Sequence, residues 1–270
     1  MPQGQSVVNL KSFAKINLSL KIRGLRSDGF HNLDSIMQTV SLYDLIAIER
    51  IPSGFEIFSD HPQVPKDERN LVFKVAKKMG LEKKGLRFTI EKNIPVAAGL
   101  AGGSGNAAAA LVGLNQLFDL RLSPEELAKI GLSIGSDVPF CLKGGRARCC
   151  GRGEEMAFLE NHSNECYVLV NPGFEVSTKE VYCCFDELAS KINLDNDLEQ
   201  VVRQKHPEIM EIEGSLLQYK AHKAQMSGSG PTVFGVFHSM EAAQAAFFSL
   251  QKKYPKVYLA SPSLCGVEML

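Results

Sequence analysis

Between Pro95 and Ala107 the chain reads Pro-Val-Ala-Ala-Gly-Leu-Ala-Gly-Gly-Ser-Gly-Asn-Ala, and an alanine-rich run continues to Leu117. Glycines let backbone N–H groups approach an anion without side-chain obstruction, and the composition of Asn106 to Leu117 favours helix. A helix fed directly by such a loop presents its free N–H groups and the positive end of its dipole to one point, an arrangement that binds phosphate. The bland alternative is a flexible glycine linker. A linker, however, is not held between a strand-like segment containing Ile90 and a strong helix former. Neither common phosphate loop fits, because no Gly-Lys-Ser/Thr follows and the Gly-x-Gly-x-x-Gly spacing is missing.

The flanking sequence predicts a mixed α and β chain. From Ala14 to Ile22 apolar and polar residues alternate, with Lys15, Asn17, Ser19 and Lys21 on the polar face of a half-buried strand. Gln38 to Glu49 and Leu86 to Ile90 are further strand candidates, and Arg69 to Met79 has helical spacing. Ser123-Pro124-Glu125-Glu126 carries the signature of a capping box, starting a helix that runs to about Ser133. Beyond the loop at Gly151-Arg152-Gly153-Glu154 the chain restarts with an apolar strand, Cys166 to Val170. A helix over Lys179 to Ala189, a glycine-rich turn at Gly228 to Pro231, a strand over Val233 to Phe237 and a helix from Met240 to Lys253 follow, the last with Ser239 as its cap. We place a domain boundary near Glu155, dividing the chain into 1–155 and 156–270.

Composition narrows the function classes. Thirty basic and thirty acidic residues cancel, so no overall field favours nucleic acid or an anionic membrane, and a phosphate site must be local. Seven cysteines, an odd count without Cys-x-x-Cys, argue against a disulfide framework and a zinc site and fit a reducing cytoplasm. Met1 to Lys11 has no apolar signal core, and no apolar run approaches the ~20 residues that span a bilayer. The expectation is a cytoplasmic protein, with neither nucleic acid nor membrane as partner.

The loop Pro-x-x-x-Gly-Leu-x-Gly-Gly-Ser-x-Asn-Ala resembles the nucleotide-binding loop of the galactokinase, homoserine kinase, mevalonate kinase and phosphomevalonate kinase superfamily. Ala14-Lys15-Ile16-Asn17-Leu18 and Met226-Ser227-Gly228-Ser229-Gly230-Pro231-Thr232-Val233-Phe234 match the same superfamily in the right order. The resemblance narrows to the 4-diphosphocytidyl-2-C-methyl-D-erythritol kinase family through Arg26-Ser27-Asp28-Gly29-Phe30-His31, Gly135-Ser136-Asp137-Val138-Pro139-Phe140 and Gly145-Arg146-Ala147. It extends through Gly151-Arg152-Gly153-Glu154 and from Asn171 to Thr178, and so spans most of the chain. It implies a two-domain α+β fold: an N-terminal nucleotide-binding domain like domain 2 of ribosomal protein S5, a C-terminal ferredoxin-like domain, and an active site between them. It also implies ATP and Mg2+ as cofactors and a small-molecule acceptor, with the protein a monomer or weak homodimer.

Residue roles follow from the same resemblance. Asp137 matches the general base and Lys15 the lysine that stabilises developing alkoxide charge; read alone, Asp137 is equally a turn or cap aspartate, and Lys15 a solvated lysine on an edge strand. Lys92, Pro95, Ala97, Ala98, Gly99, Leu100, Ala101, Gly102, Gly103, Ser104 and Gly105 match the ATP-binding segment. The Ser104 hydroxyl suits phosphate, the magnesium ion or a helix cap, and Lys92 has an exposed structural lysine as its alternative. Gly105 stands where many members of the family carry a second serine, so its replacement by serine is expected to be tolerated or to improve nucleotide affinity. Asn17, Phe30, His31, Thr178, Tyr182 and Gly228 match the acceptor site, where two rings sandwich cytosine; core packing is the alternative for the rings and a satisfied structural histidine for His31. Homoserine or mevalonate kinase activity, or a catalytically idle sensor on the same scaffold, are the rival readings. Retention of both Lys15 and Asp137 disfavours the sensor.

Overall fold

Two long N-terminal strands, β1 (Val7–Leu25) and β2 (His31–Arg50), form the spine of the protein. The structure is a computed structural model that describes residues 6–162, 164–188, 190 and 192–270. Met1 to Gln5 of the N-terminal stretch, and Ala189 of the helix expected over Lys179 to Ala189, lie outside the described residues. After β2 come β3 (Phe55–Ser59), α1 (Leu71–Lys78), β4 (Leu86–Glu91), α2 (Gly102–Leu117), α3 (Pro124–Ile134), α4 (Val138–Lys143), β5 (Arg146–Gly151) and β6 (Glu155–Leu159). The later part holds β7 (Cys166–Asn171), α5 (Thr178–Asp186), α6 (Glu199–Lys205), α7 (Glu208–Gln218), β8 (Lys223–Met226), β9 (Val233–Phe237), α8 (Met240–Leu250), β10 (Lys256–Ala260) and β11 (Val267–Met269).

These strands make two sheets. The first is ordered β11-β1-β2-β4-β3, with β5 also on β2 and β6 on β5, so the last strand of the chain returns to pair with the first. The second is ordered β10-β7-β9-β8, antiparallel throughout, with α5–α7 before β8 and α8 after β9. That is the split β-α-β-β-α-β arrangement of ferredoxin-like folds, so the α+β class expected from the sequence is the one observed. No helix of the described residues is long and apolar enough to cross a membrane.

The long strands serve different cores along their length. Val8 and Leu10 of β1, with Ile46 and Ile48 of β2, pack against α1–α4. Past a register shift at Phe13/Ala14, Ala14, Ile16 and Leu18 instead face Tyr167, Leu169 and Phe234 of the second sheet, and past a second at Asn17/Ser19, Leu20 joins the core beneath α5–α8. Bulges of this kind re-aim side chains, which is how one strand stitches two sheets together. On the polar face of β1, Lys15 is 4% exposed and Asn17 1%, while Ser19 and Lys21 stay partly exposed.

Local signals explain the helix starts. The Ser123 hydroxyl accepts from Glu126 N at 3.2 Å and the Glu126 carboxylate from Ser123 N at 2.8 Å, completing the capping box of α3. Ser239 likewise accepts from Ala242 N to begin α8. Helix α2 begins four residues before the expected Asn106, at Gly102, and its N-cap residue Ala101 supplies no side-chain cap. The glycines that read as loop form its first turn.

Candidate active site

One cavity of about 840 Å3 is lined from both sheets and their helices. At one end lies the loop leading into α2. Ala97, Gly99 and Ala101 have φ of 50°, 75° and 56°, alternating with residues of negative φ. Alternation of this kind builds the backbone concavities that hold anions, and left-handed alanine is a strained state kept by its surroundings. Gly99 is required twice over, because a Cβ there would lie 2.1 Å from the Ser227 carbonyl oxygen. The first helical bond of α2 runs from Gly105 N to Ala101 O, leaving the N–H groups of Gly102, Gly103 and Ser104 without intrahelical acceptors. An anion is the natural cap for such an end.

The loop is strapped down on the side away from the cavity. Lys15 N donates to Leu100 O at 3.1 Å, and the Ser227 hydroxyl donates to Gly99 O at 3.0 Å. Asp44 of β2 is fully buried and accepts from Asn93 N and Ile94 N at 2.8 Å each and from Lys92 Nζ at 2.7 Å. Burial pushes the Asp44 carboxyl up and the Lys92 ammonium down, while each partner's charge opposes the shift on the other.

At the middle of the cavity the β1 side chains meet the turn before α4. Lys15 Nζ lies 3.5 Å from Asp137 Oδ2 and donates to Asn17 Oδ1 at 2.6 Å and Gly99 O at 3.2 Å. Asn17 in turn donates to the Ser35 hydroxyl at 2.8 Å. Gly228, with φ of 56°, would place a Cβ 3.1 Å from Asn17 Oδ1 and 3.5 Å from Lys15 Nζ. Asp137 occupies the N-cap position of α4 yet makes no capping bond, and its carboxylate stays 30% exposed beside the lysine. The cap alternative for Asp137 is removed by this geometry, and so is the solvated alternative for Lys15, which is 4% exposed and whose backbone N–H is taken by Leu100 O.

The far end is built from side chains. Helix α5 turns Thr178, Tyr182 and Asp186 to the cavity at i, i+4 and i+8, one face of a helix. The Thr178 hydroxyl is 2.7 Å from that of Ser229, and His31 Nε2 is 2.9 Å from Asp186 Oδ1. The His31 and Tyr182 rings lie with centroids 5.0 Å apart. Burial, and then the charge of Asp137, pushes the Tyr182 phenol well above its ordinary range. Phe30 is 45% exposed, with the Arg152 guanidinium 3.7 Å over its ring, which sets aside a core role for it.

The cavity therefore brings together Lys15, Asn17, Phe30, His31, Lys92, Pro95, Ala97, Ala98, Gly99, Ala101, Gly102, Gly103, Ser104, Asp137, Thr178, Tyr182 and Gly228. Two expected ATP-binding residues stand apart. Leu100 packs between the sheets at 1% exposure, because the left-handed residues on either side turn its side chain away from the cavity. Gly105 is buried against β1, where a Cβ would meet the Ser12 hydroxyl at 2.5 Å and Phe13 O at 3.3 Å, so its missing side chain leaves room for the strand. Lys92 is not an exposed lysine, its ammonium being turned to Asp44. Sequence reasoning missed Asp44, Asp186 and Ser229. Asp44 had left a signal, since it shares strand parity with the core residues Ile46 and Ile48.

A glycine loop on a helix N-terminus, facing a buried lysine and a carboxylate across the seam of two such sheets, defines a small-molecule kinase of the GHMP class. The N-terminal domain of GHMP kinases matches residues 70–145 and their C-terminal domain residues 183–256. The 4-diphosphocytidyl-2-C-methyl-D-erythritol kinase of Clostridium botulinum (strain Eklund 17B / Type B) is 42% identical over 276 residues, covering 93% of this chain and 99% of the relative. That of Clostridioides difficile (strain 630) is 42% identical over 288 residues, covering 97% of each. The chain belongs to the 4-diphosphocytidyl-2-C-methyl-D-erythritol kinase family. A crystal structure of 4-(cytidine 5'-diphospho)-2C-methyl-D-erythritol kinase superposes with a TM-score of 0.77 at 26% identity, over 94% of this chain and 99% of the other. Homoserine kinase from Cytophaga hutchinsonii reaches the same 0.77 at 19% identity, over 100% and 99%, a likeness of fold alone.

Proposed function

We propose that this protein transfers the terminal phosphoryl group of ATP to the 2-hydroxyl of 4-diphosphocytidyl-2-C-methyl-D-erythritol, in the non-mevalonate route to isoprenoid precursors. The observation that carries this reading is that the Lys15–Asp137 pair lies in one cavity between a backbone anion site and an aromatic, histidine-bearing end. Phosphoryl transfer through a loose transition state needs positioning and charge neutralisation more than covalent chemistry from the protein. The 97–104 backbone holds the phosphates, Asp137 accepts the proton of the acceptor hydroxyl, and the Lys15 ammonium stabilises the oxygen as it becomes negative. Asn17, through its bonds to Lys15 and Ser35, fixes where that ammonium points. Phe30 and Tyr182 sandwich the cytosine and His31, oriented by Asp186, reads its edge, with Thr178 beside them.

Magnesium fits this donor set as an ion carried mainly by the nucleotide. Ser104 lines the cavity next to the anion site, and its hydroxyl is of the oxygen type that magnesium takes. When bound it supplies neutralisation of phosphate charge. The same reading makes the protein a monomer or weak homodimer of the bacterial cytoplasm.

Fold likeness does not choose the acceptor, since the homoserine kinase superposes equally well. The family identity does, and the aromatic end supports it. ADP release by the purified protein, compared across the cytidylyl substrate, homoserine and mevalonate, tests the choice. Release with the cytidylyl substrate alone is expected, and faster release with either of the others would overturn the assignment.

A further inference from the structure

Asp44 ties together the segments that bracket the phosphate loop. Its Oδ1 accepts Asn93 N and Ile94 N, the residues immediately before Pro95, and its Oδ2 accepts Lys92 Nζ. Asn106, with its amide nitrogen toward the carboxylate, donates to Asp44 Oδ2 at 2.9 Å and to Gly102 O at 3.1 Å. One carboxylate on β2 thus grips the turn entering the loop and the second turn of the helix leaving it. Lys92 also donates to Ile94 O, and a Cβ on Gly102 would lie 2.9 Å from its ammonium, so that charge sits directly under the first residue of α2. A cation there opposes the positive end of the helix dipole unless an anion neutralises it. Lys92 is 4% exposed on its side chain and Asp44 0%.

We propose that Asp44 is a positioning residue for nucleotide binding, holding the 95–104 backbone in its anion-binding shape, and that Lys92 is its counter-ion instead of a ligand of the phosphates. This rests on reading that backbone as the ATP site. Removing one member of a buried ion pair strands the other charge, whereas removing both is often nearly neutral. The two members should therefore be strongly coupled.

The test is the dissociation constant of Mg-ATP, with the acceptor KM and the melting temperature measured on the same preparations, for Asp44→Asn, Lys92→Met and the double variant. Each single change should weaken ATP about tenfold or more while moving the acceptor KM no more than about twofold. The double variant should regain most of the ATP affinity, because the introduced amide oxygen still accepts Asn93 N and Ile94 N and no charge is left buried. If a single variant does not fold, the double variant decides alone, and an ATP loss beyond about tenfold in it overturns the proposal. Weaker ATP binding in Lys92→Met with tighter or unchanged binding in Asp44→Asn makes Lys92 a direct phosphate ligand and also overturns it. So do losses for ATP and acceptor that fall together with the melting temperature. Absence of ATP binding by the unaltered protein would instead sink the phosphate-loop reading, and the role of Asp44 with it.

Discussion

The two ends of the cavity are made of different material. The phosphate end is backbone: left-handed residues at 97, 99 and 101, a helix start without a side-chain cap, and a glycine pressed against the 227–230 turn. The acceptor end is side chains delivered by three elements, with Phe30 half exposed and His31 held by one carboxylate from α5. Backbone sites recognise charge and tolerate almost no added volume, whereas side-chain sites recognise shape and lose affinity by degrees. That difference suits the proposed nucleoside triphosphate at one end and the proposed base at the other.

Substitutions should separate the ends. Gly99→Ala is expected to have the largest effect on binding, because its Cβ would meet the Ser227 carbonyl oxygen at 2.1 Å in a backbone state that L residues avoid. The loop must then leave the 227–230 turn, and ATP affinity should fall about a hundredfold or more, read by nucleotide titration. Unchanged affinity would mean that the loop is not the phosphate site.

Tyr182→Ala comes next. Losing one face of a base stack is worth about 1–3 kcal/mol, so acceptor affinity should drop roughly five- to a hundredfold while ATP affinity hardly changes. Both Michaelis constants on one preparation check this, and proportional losses with a lowered melting temperature would return Tyr182 to the core.

Gly105→Ser should act on stability and on neither end. The added side chain must displace the Ser12 hydroxyl between α2 and β1, an overpacking cost of about 1–3 kcal/mol. Denaturant unfolding reads it, and a gain in ATP affinity would contradict the buried placement of this residue. The smallest effect is expected at Asp34, next to Leu33 on β2 but not itself lining the cavity, whose carboxyl is lowered to about 2 by its bonds to Arg148 and then Arg23. A depressed folded pKa gives stability that is present above the unfolded value near 4 and is lost as pH falls toward 2. Asp34→Asn should cost about 1 kcal/mol at neutral pH, solvent screening included, and flatten that acid limb. An unaltered acid limb would remove the pair from the account.

What the sequence disclosed follows the same division. The glycine loop and its helix were legible because their requirement is local: glycines, left-handed turns and a helix former in one run of residues. The capping box of α3 and the Ser239 cap of α8 were legible for the same reason. Burial of Lys15 was not, because it depends on the distant Gly99–Leu100 loop and Gly228 turn closing over β1 and on register shifts that hand the strand from one core to another. The pairing of His31 with Asp186 spans 155 residues, and no spacing rule reaches across it. Short strands such as β8 and β11, of 4 and 3 residues, carry too few alternations to be read.

The central claim is that Lys15 and Asp137 act where the two ends meet. It is tested most directly by rapid-mixing measurement of phosphoryl transfer in a single turnover, with ATP and acceptor affinities determined on the same Asp137→Asn protein. General-base loss should slow transfer by about a hundredfold or more with both affinities within about twofold of the unaltered protein. Transfer at a near-normal rate, with both ligands bound, would contradict the account.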